Sequence, residues 1–178
     1  MDLHDLLVSR IRDVPDWPKA GVVFKDISPL LADHDAFTAL VDAFAGQCGE
    51  ARVDKVAGIE ARGFILAAPV AYRAGAGFVP VRKQGKLPRA TFAESYDLEY
   101  GSATLEVHQD AFAPGDRVLV IDDVLATGGT VAATVELVRR SGADVVGVSV
   151  LMELGFLGAA AKLADRYPDL PIRSFLTI

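Results

Sequence analysis

The segment richest in chemical possibility is Val118-Leu119-Val120-Ile121-Asp122-Asp123-Val124-Leu125-Ala126-Thr127-Gly128-Gly129-Thr130. It reads as an apolar strand that ends in two adjacent acids and passes through a Thr/Gly turn into a helix. Paired carboxylates at a strand end can accept hydrogen bonds from vicinal hydroxyls or face a magnesium-bound ligand. Gly128 and Gly129 let the backbone close on an anion, Thr127 and Thr130 add hydroxyl donors, and a helix opening near Gly129 aims its unpaired N–H groups at the same place. That set suits a sugar phosphate. An anion there gains about 0.3–1 kcal/mol from the helix dipole, up to about 2 when half-buried, and charge-assisted hydrogen bonds add roughly 1.5–3 kcal/mol each. The plainer reading, acids that cap a helix beside an ordinary turn, needs fewer special residues than the segment contains. No G-x-x-x-x-G-K-S/T phosphate loop is present, and Gly75-Ala76-Gly77 lacks the third glycine of a dinucleotide fingerprint.

A strand and turn of this kind need neighbours to hold them, and the chain supplies them in alternation. Short β-branched runs at 54–58, 77–81, 117–121, 144–151 and 171–177 are separated by helical spacing at 64–73, 129–141 and 157–166. The Val118–Ile121 run has no polar alternation, which predicts a parallel sheet covered on both faces and an α/β class. Ligands of such sheets sit beyond the carboxyl ends of strands, so the loops after Gly58, Val81, Ile121 and Leu151 are the places for chemistry. Two segments depart from the alternation. Residues 1–50 hold two expected helices, about Leu3–Arg12 and Asp35–Cys48, around an irregular stretch; residues 83–101 read as one long, polar connection, a lid or a disordered loop. Neither repeats nor a Pro/Ser-rich linker divide the chain, so 1–178 is expected to form one domain.

Composition narrows the classes further. The 178 residues are 51% hydrophobic, enough for a core, and mean hydropathy is +0.30, yet charged residues interrupt every apolar run before the roughly 20 residues of a membrane span. Acids at Asp2 and Asp5 stand where a signal peptide would carry positive charge, arguing against export. The single cysteine, Cys48, excludes an intrachain disulfide or a thiolate metal cluster and suits a reducing cytoplasm. Net charge is −6, which weighs against a nucleic-acid surface. Against that acidic background Arg82, Lys83, Lys86 and Arg89 cluster, either as an anion-binding loop or as a solvated one. His4, His34 and His108 are scattered, with no HExxH or Ser/His/Asp arrangement.

Val120 to Thr130 resembles the signature with which the type I phosphoribosyltransferases bind phosphoribosyl pyrophosphate (PRPP). The resemblance implies a central, mostly parallel twisted sheet with helices on both faces, a small N-terminal or hood region and a flexible catalytic loop. It implies that Asp122 and Asp123 bind the ribose hydroxyls, while Ala126, Thr127, Gly128, Gly129 and Thr130 hold the 5′-phosphate.

Further segments resemble the adenine-specific branch of that family, extending the likeness from about Pro15 to Leu163. In Gly21-Val22-Val23-Phe24-Lys25-Asp26-Ile27, Phe24 would stack on the purine, the Val23 carbonyl would accept from the exocyclic amine, and the Lys25 N–H would donate to ring N1. Hypoxanthine presents the opposite polarity at both places, a mismatch that can cost about 10⁴-fold in a buried polar site. From the residue alone, Phe24 reads more readily as a core aromatic of an edge strand. Gly58-Ile59-Glu60-Ala61-Arg62-Gly63-Phe64 resembles the pyrophosphate loop, with Arg62 on the leaving group and Arg82, Lys83 and Lys86 adding cations. Ser95 to Gly101 resembles the mobile hood loop over 83–101. There Glu99 would face N7 and share a proton as N9 attacks, unless it is a free surface acid. Leu154 would form the wall of the base pocket opposite Phe24.

The resemblance therefore implies Mg²⁺-dependent displacement at ribose C1′, taking PRPP and adenine to AMP and pyrophosphate in a cytoplasmic homodimer. The metal would be held by substrate oxygens and water, with no direct protein ligand; Asp122 and Asp123 would stand behind it. Two rivals share the PRPP segment: a sister transferase for another base, and a non-enzymatic PRPP sensor that binds nucleic acid. The Val23-Phe24-Lys25 strand with Glu99-Tyr100 speaks against the first, and the short acidic chain against the second. This chain departs from its kin at Ala159-Ala160, where Gly-Arg is usual, at Trp17, where Phe is common, and at Arg89, where Gly is common; Arg89 would stiffen the hood.

Overall fold

The computed structural model describes residues 1–98 and 100–178, so the expected catalytic Glu99 lies outside the described residues. The chain divides into two compact units, Met1–Phe44 and Ala45–Ile178.

The first unit opens with α1 (Leu3–Arg10), whose Asp2 cap accepts from the Asp5 N–H at 2.9 Å. Strands β1 (Arg12–Pro15) and β2 (Val23–Asp26) pair antiparallel, with Val14 opposite Phe24 and Asp13 opposite Lys25. Helix α2 (Ser28–Ala32) follows, and α3 (His34–Ala51) runs across the boundary between the units. Arg10 Nε meets Asp33 Oδ2 at 2.7 Å, tying the end of α1 to the α2–α3 turn. The sequence reading had one strand here; its partner β1 and the short α2 were hidden in the irregular stretch.

The second unit is a seven-stranded sheet in the order β5-β6-β4-β3-β7-β8-β9. Strands β3 (Lys55–Ile59), β4 (Gly77–Lys83), β7 (Arg117–Leu125), β8 (Asp144–Glu153) and β9 (Ile172–Thr177) pair in parallel. Helices α4 (Arg62–Ala74), α5 (Gly129–Arg140) and α6 (Ala159–Arg166) make the crossovers. Seven of the nine β7 positions are buried, so both faces of this strand are covered. Val118 and Val120 join Val131, Val135 and Val138 of α5 in one core cluster, while Leu119 and Ile121 alternate to the other face.

Two expectations need correction. Residues 83–101 are not one long connection: β5 (Thr91–Asp97) pairs antiparallel with β6 (Ser102–His108), Phe92 opposite Val107 and Tyr96 opposite Ala103. A charged Glu94 on the inner face and an apolar Ala93 on the outer one hide its period-two alternation. Nor does the central strand end before its acids. Asp122 pairs with Val150 and Leu125 with Glu153, because β8 is long enough to continue the ladder beside them.

Candidate active site

The chain passes from β3 to β4 on one side and returns to β7 on the other, so the order reverses between β3 and β7. Beyond the carboxyl ends of those strands lies the crevice where open α/β sheets bind ligands. Asp122 and Asp123 are 7% and 5% exposed at its floor. Asp122 Oδ1 accepts from the Asp123 N–H at 2.9 Å. Asp123 Oδ2 lies 2.6 Å from Arg62 Nε, at the first residue of α4. Burial, and then the neighbouring Asp123 charge, push the Asp122 carboxyl well above its ordinary range. Gly63 permits this close assembly, because a Cβ there would stand 3.0 Å from Asp122 Oδ1 and 3.2 Å from the Ile121 carbonyl.

After Leu125 the chain turns through Ala126, Thr127 and Gly128 into α5. Gly128 holds φ at 89°, a left-handed conformation that glycine adopts without steric cost. The first intrahelical bond recorded at this end runs from the Ala132 N–H to the Gly128 carbonyl, 2.9 Å, which leaves the N–H groups of Gly129 and Thr130 at the helix start for a ligand. Thr127 is exposed and Thr130 half-buried at the same turn. Beneath it, Ala159 and Leu163 would both lie 3.5 Å from a Cβ on residue 128. The buried Ala159 is thus part of the floor under the turn.

The cations gather on the adjoining loops. The Glu60 carboxylate accepts from the Lys83 N–H at 2.7 Å and stands 3.7 Å from Arg82 Nε. Glu106 Oε2 accepts from the Gly85 N–H at 3.1 Å, and Arg82 Nη1 donates to the Lys86 carbonyl at 3.2 Å. Glu60 therefore fastens the backbone of the basic loop to the turn that carries Arg62 and Glu106 fastens it to β6, while Lys83 and Lys86 remain exposed. Arg89 pairs with Asp110 at 2.6 Å, bracing the start of the hairpin against its end.

Leu154 follows β8, and its N–H donates to the Leu125 carbonyl at 2.9 Å, which sets it beside the 126–130 turn. In the first unit Val23 is exposed, Phe24 is half-buried on β2, and Lys25 Nζ meets Asp13 Oδ1 at 2.6 Å. The second unit therefore brings together Arg62, Asp122, Asp123, the 126–130 turn, Leu154 and the basic loop. Sequence reasoning missed Glu60, Glu106 and Tyr96. Glu60 and Tyr96 both lie inside segments already singled out, but their contacts with Lys83 and Gly129 depend on partners far along the chain.

A seven-stranded, mainly parallel sheet with two buried acids at its switch point, beside a glycine turn opening a helix, defines a nucleotide- or sugar-phosphate-handling α/β protein. The sequence pattern of the phosphoribosyl transferase domain matches residues 30–175. The adenine phosphoribosyltransferase of Streptomyces coelicolor is 62% identical over 176 residues, covering 99% of this chain and 97% of that protein. The crystal structure of adenine phosphoribosyltransferase from Rhodothermus marinus superposes with a TM-score of 0.91 at 47% identity, covering 99% of this chain and 98% of that one. The Saccharomyces cerevisiae enzyme, complexed with an imino-altritol bisphosphate and adenine, gives a TM-score of 0.91 at 36% identity, covering 98% of each chain. This chain belongs to the phosphoribosyltransferase family, and within it to the adenine phosphoribosyltransferases.

Proposed function

We infer that the chain transfers the 5-phosphoribosyl group of PRPP to N9 of adenine, giving AMP and pyrophosphate. The observation that carries this reading is the buried Asp122-Asp123 pair next to the Ala126–Thr130 turn, in a chain 62% identical to an enzyme of that name. Asp122 and Asp123 accept hydrogen bonds from the ribose hydroxyls and favour positive charge developing on the ring. Ala126, Thr127, Gly128, Gly129 and Thr130 hold the 5′-phosphate at the start of α5. Arg62, Arg82, Lys83 and Lys86 attract the departing pyrophosphate. Val23, Phe24, Lys25 and Leu154 recognise adenine, and Glu99 shares a proton at N7 as N9 attacks.

Magnesium fits this donor set as an ion carried in by substrate. Among the described residues, the only three acids or histidines close enough to share an ion are the exposed Asp2, His4 and Asp5, in the other unit. At the crevice Asp123 already faces Arg62, so Asp122 and Asp123 would touch the water and ribose oxygens around the ion. When bound, it would neutralise charge on the pyrophosphate.

A homodimer is part of the same reading. Ile65 and Tyr72, two turns apart on α4, are 45% and 90% exposed, and Phe78 of β4 is 37% exposed, an apolar surface suited to a second copy. Among the described residues no helix is long and apolar enough to cross a membrane. Cys48 is buried and free, which agrees with work in the cytoplasm.

The test is pyrophosphate release by purified protein with PRPP, magnesium and each of adenine, hypoxanthine, guanine and orotate. Adenine is expected to be preferred by about 10⁴-fold over hypoxanthine. Equal use of hypoxanthine would refute the base assignment, and release with no base at all would refute the transfer.

A further inference from the structure

Strand β5 lies at the edge of the sheet, yet its inner face makes contacts with α5 that pairing to β6 does not require. Phe92, Glu94 and Tyr96 alternate onto that face, with Ala93, Ser95 and Asp97 exposed. At the end of α5, Arg140 Nη1 donates to the Ala93 carbonyl at 2.6 Å and Nη2 pairs with the Glu94 carboxylate. At its start, the Tyr96 ring rests on Gly129: a Cβ there would stand 2.8 Å from Tyr96 Cδ2 and 3.5 Å from Cγ. Side chains do not pack that closely, so only glycine at 129 lets the ring settle on the turn. Burial, and then the nearby Asp122 charge, keep the Tyr96 phenol protonated above its ordinary range. Tyr96 therefore touches the glycine of the anion turn and feels the buried carboxylate, from an element outside the PRPP signature.

We propose that Tyr96 is a positioning residue for the phosphoribosyl group. Its ring holds the Gly128–Gly129 turn in the shape that presents the first N–H groups of α5 to the 5′-phosphate, and the Arg140 clamp on Ala93 and Glu94 keeps the ring in place. The proposal rests on the sugar-phosphate reading of that turn.

Calorimetric titration of the full-length protein with ribose 5-phosphate separates the two. Tyr96→Ala is expected to bind it about ten-fold more weakly and to raise KM for PRPP by a similar factor, with KM for adenine within about two-fold of the parent. Tyr96→Phe, which keeps the ring, is expected to restore both values. Gly129→Ala should weaken binding by displacing the ring, and adding Tyr96→Ala should cost little more, because the two losses overlap. Equal or tighter binding by folded Tyr96→Ala overturns the role of Tyr96. Should that variant unfold, unchanged binding by Gly129→Ala does so instead. Absence of any uptake by the parent protein would sink the sugar-phosphate reading itself.

Discussion

Arg62 Nε stands 2.6 Å from Asp123 Oδ2, so the first cation of α4 and a buried acid of β7 neutralise each other across the β3/β7 crevice. On the proposed reading, PRPP binding would exchange these partners, Arg62 turning to the pyrophosphate and Asp123 to a ribose hydroxyl.

Arg62→Ala should lower kcat/KM for PRPP by about 10²–10³-fold, the usual cost of removing one preorganised contact to developing charge. Arg62→Lys should recover part of this, since a point charge replaces the planar fork. Steady-state kinetics with PRPP as the varied substrate decides it, and rates within about two-fold of the parent would remove Arg62 from the site.

Asp122 gives a pH dependence with a definite sign. Its folded-state pKa is raised above the 3.8 of an unperturbed aspartate, mainly by burial, so the native state keeps a proton that the unfolded chain releases. Stability on this account is full below that value and falls as pH climbs through the raised one. Asp122→Asn should melt higher than the parent at pH 7, with the gap closing toward pH 4, while PRPP binding weakens. A lower melting point at pH 7 than the parent's would contradict the sign.

Glu99→Ala is expected to cut turnover by about 10²–10⁴-fold, the range for a lost proton-transfer group, with PRPP affinity nearly intact. Single-turnover kinetics and calorimetry read the two quantities separately. Undiminished turnover would remove the residue from its proposed role.

Away from the site, the buried Tyr167 hydroxyl donates to Glu136 Oε1 at 2.6 Å, while Arg139 and Arg166 lie 4.9 and 5.1 Å from the ring centre. Tyr167→Phe keeps the ring contacts and loses the hydrogen bond, so it should cost about 1 kcal/mol, a drop of roughly 2–4 °C in Tm, with kinetics unchanged. A scanning calorimeter and the standard assay check both halves.

The parallel core was legible because β3, β7 and β8 are apolar runs with few polar interruptions, and the glycine turn into α5 because two acids, two threonines and two glycines crowd one strand-to-helix junction. What escaped depended on neighbours. The acids lie within β7 because β8 extends beside them, a fact of pairing that the first charged residue conceals. Thr91–Asp97 looks like a polar loop until Ser102–His108 is laid against it. The roles of Glu60 on the Lys83 backbone and of Tyr96 on Gly129 join residues 23 and 33 positions apart, a distance over which local pattern says nothing.

The outermost strand of the sheet also bears on self-assembly. An open β edge invites another chain to add itself, and a charge turned inward is one of the ways proteins discourage this. Glu94 is such a charge, tolerable only because Arg140 answers it from the helix behind. Loss of that guanidinium would leave a lone anion facing α5 and loosen the flank, so clumping on heating would accompany the defect in sugar-phosphate uptake.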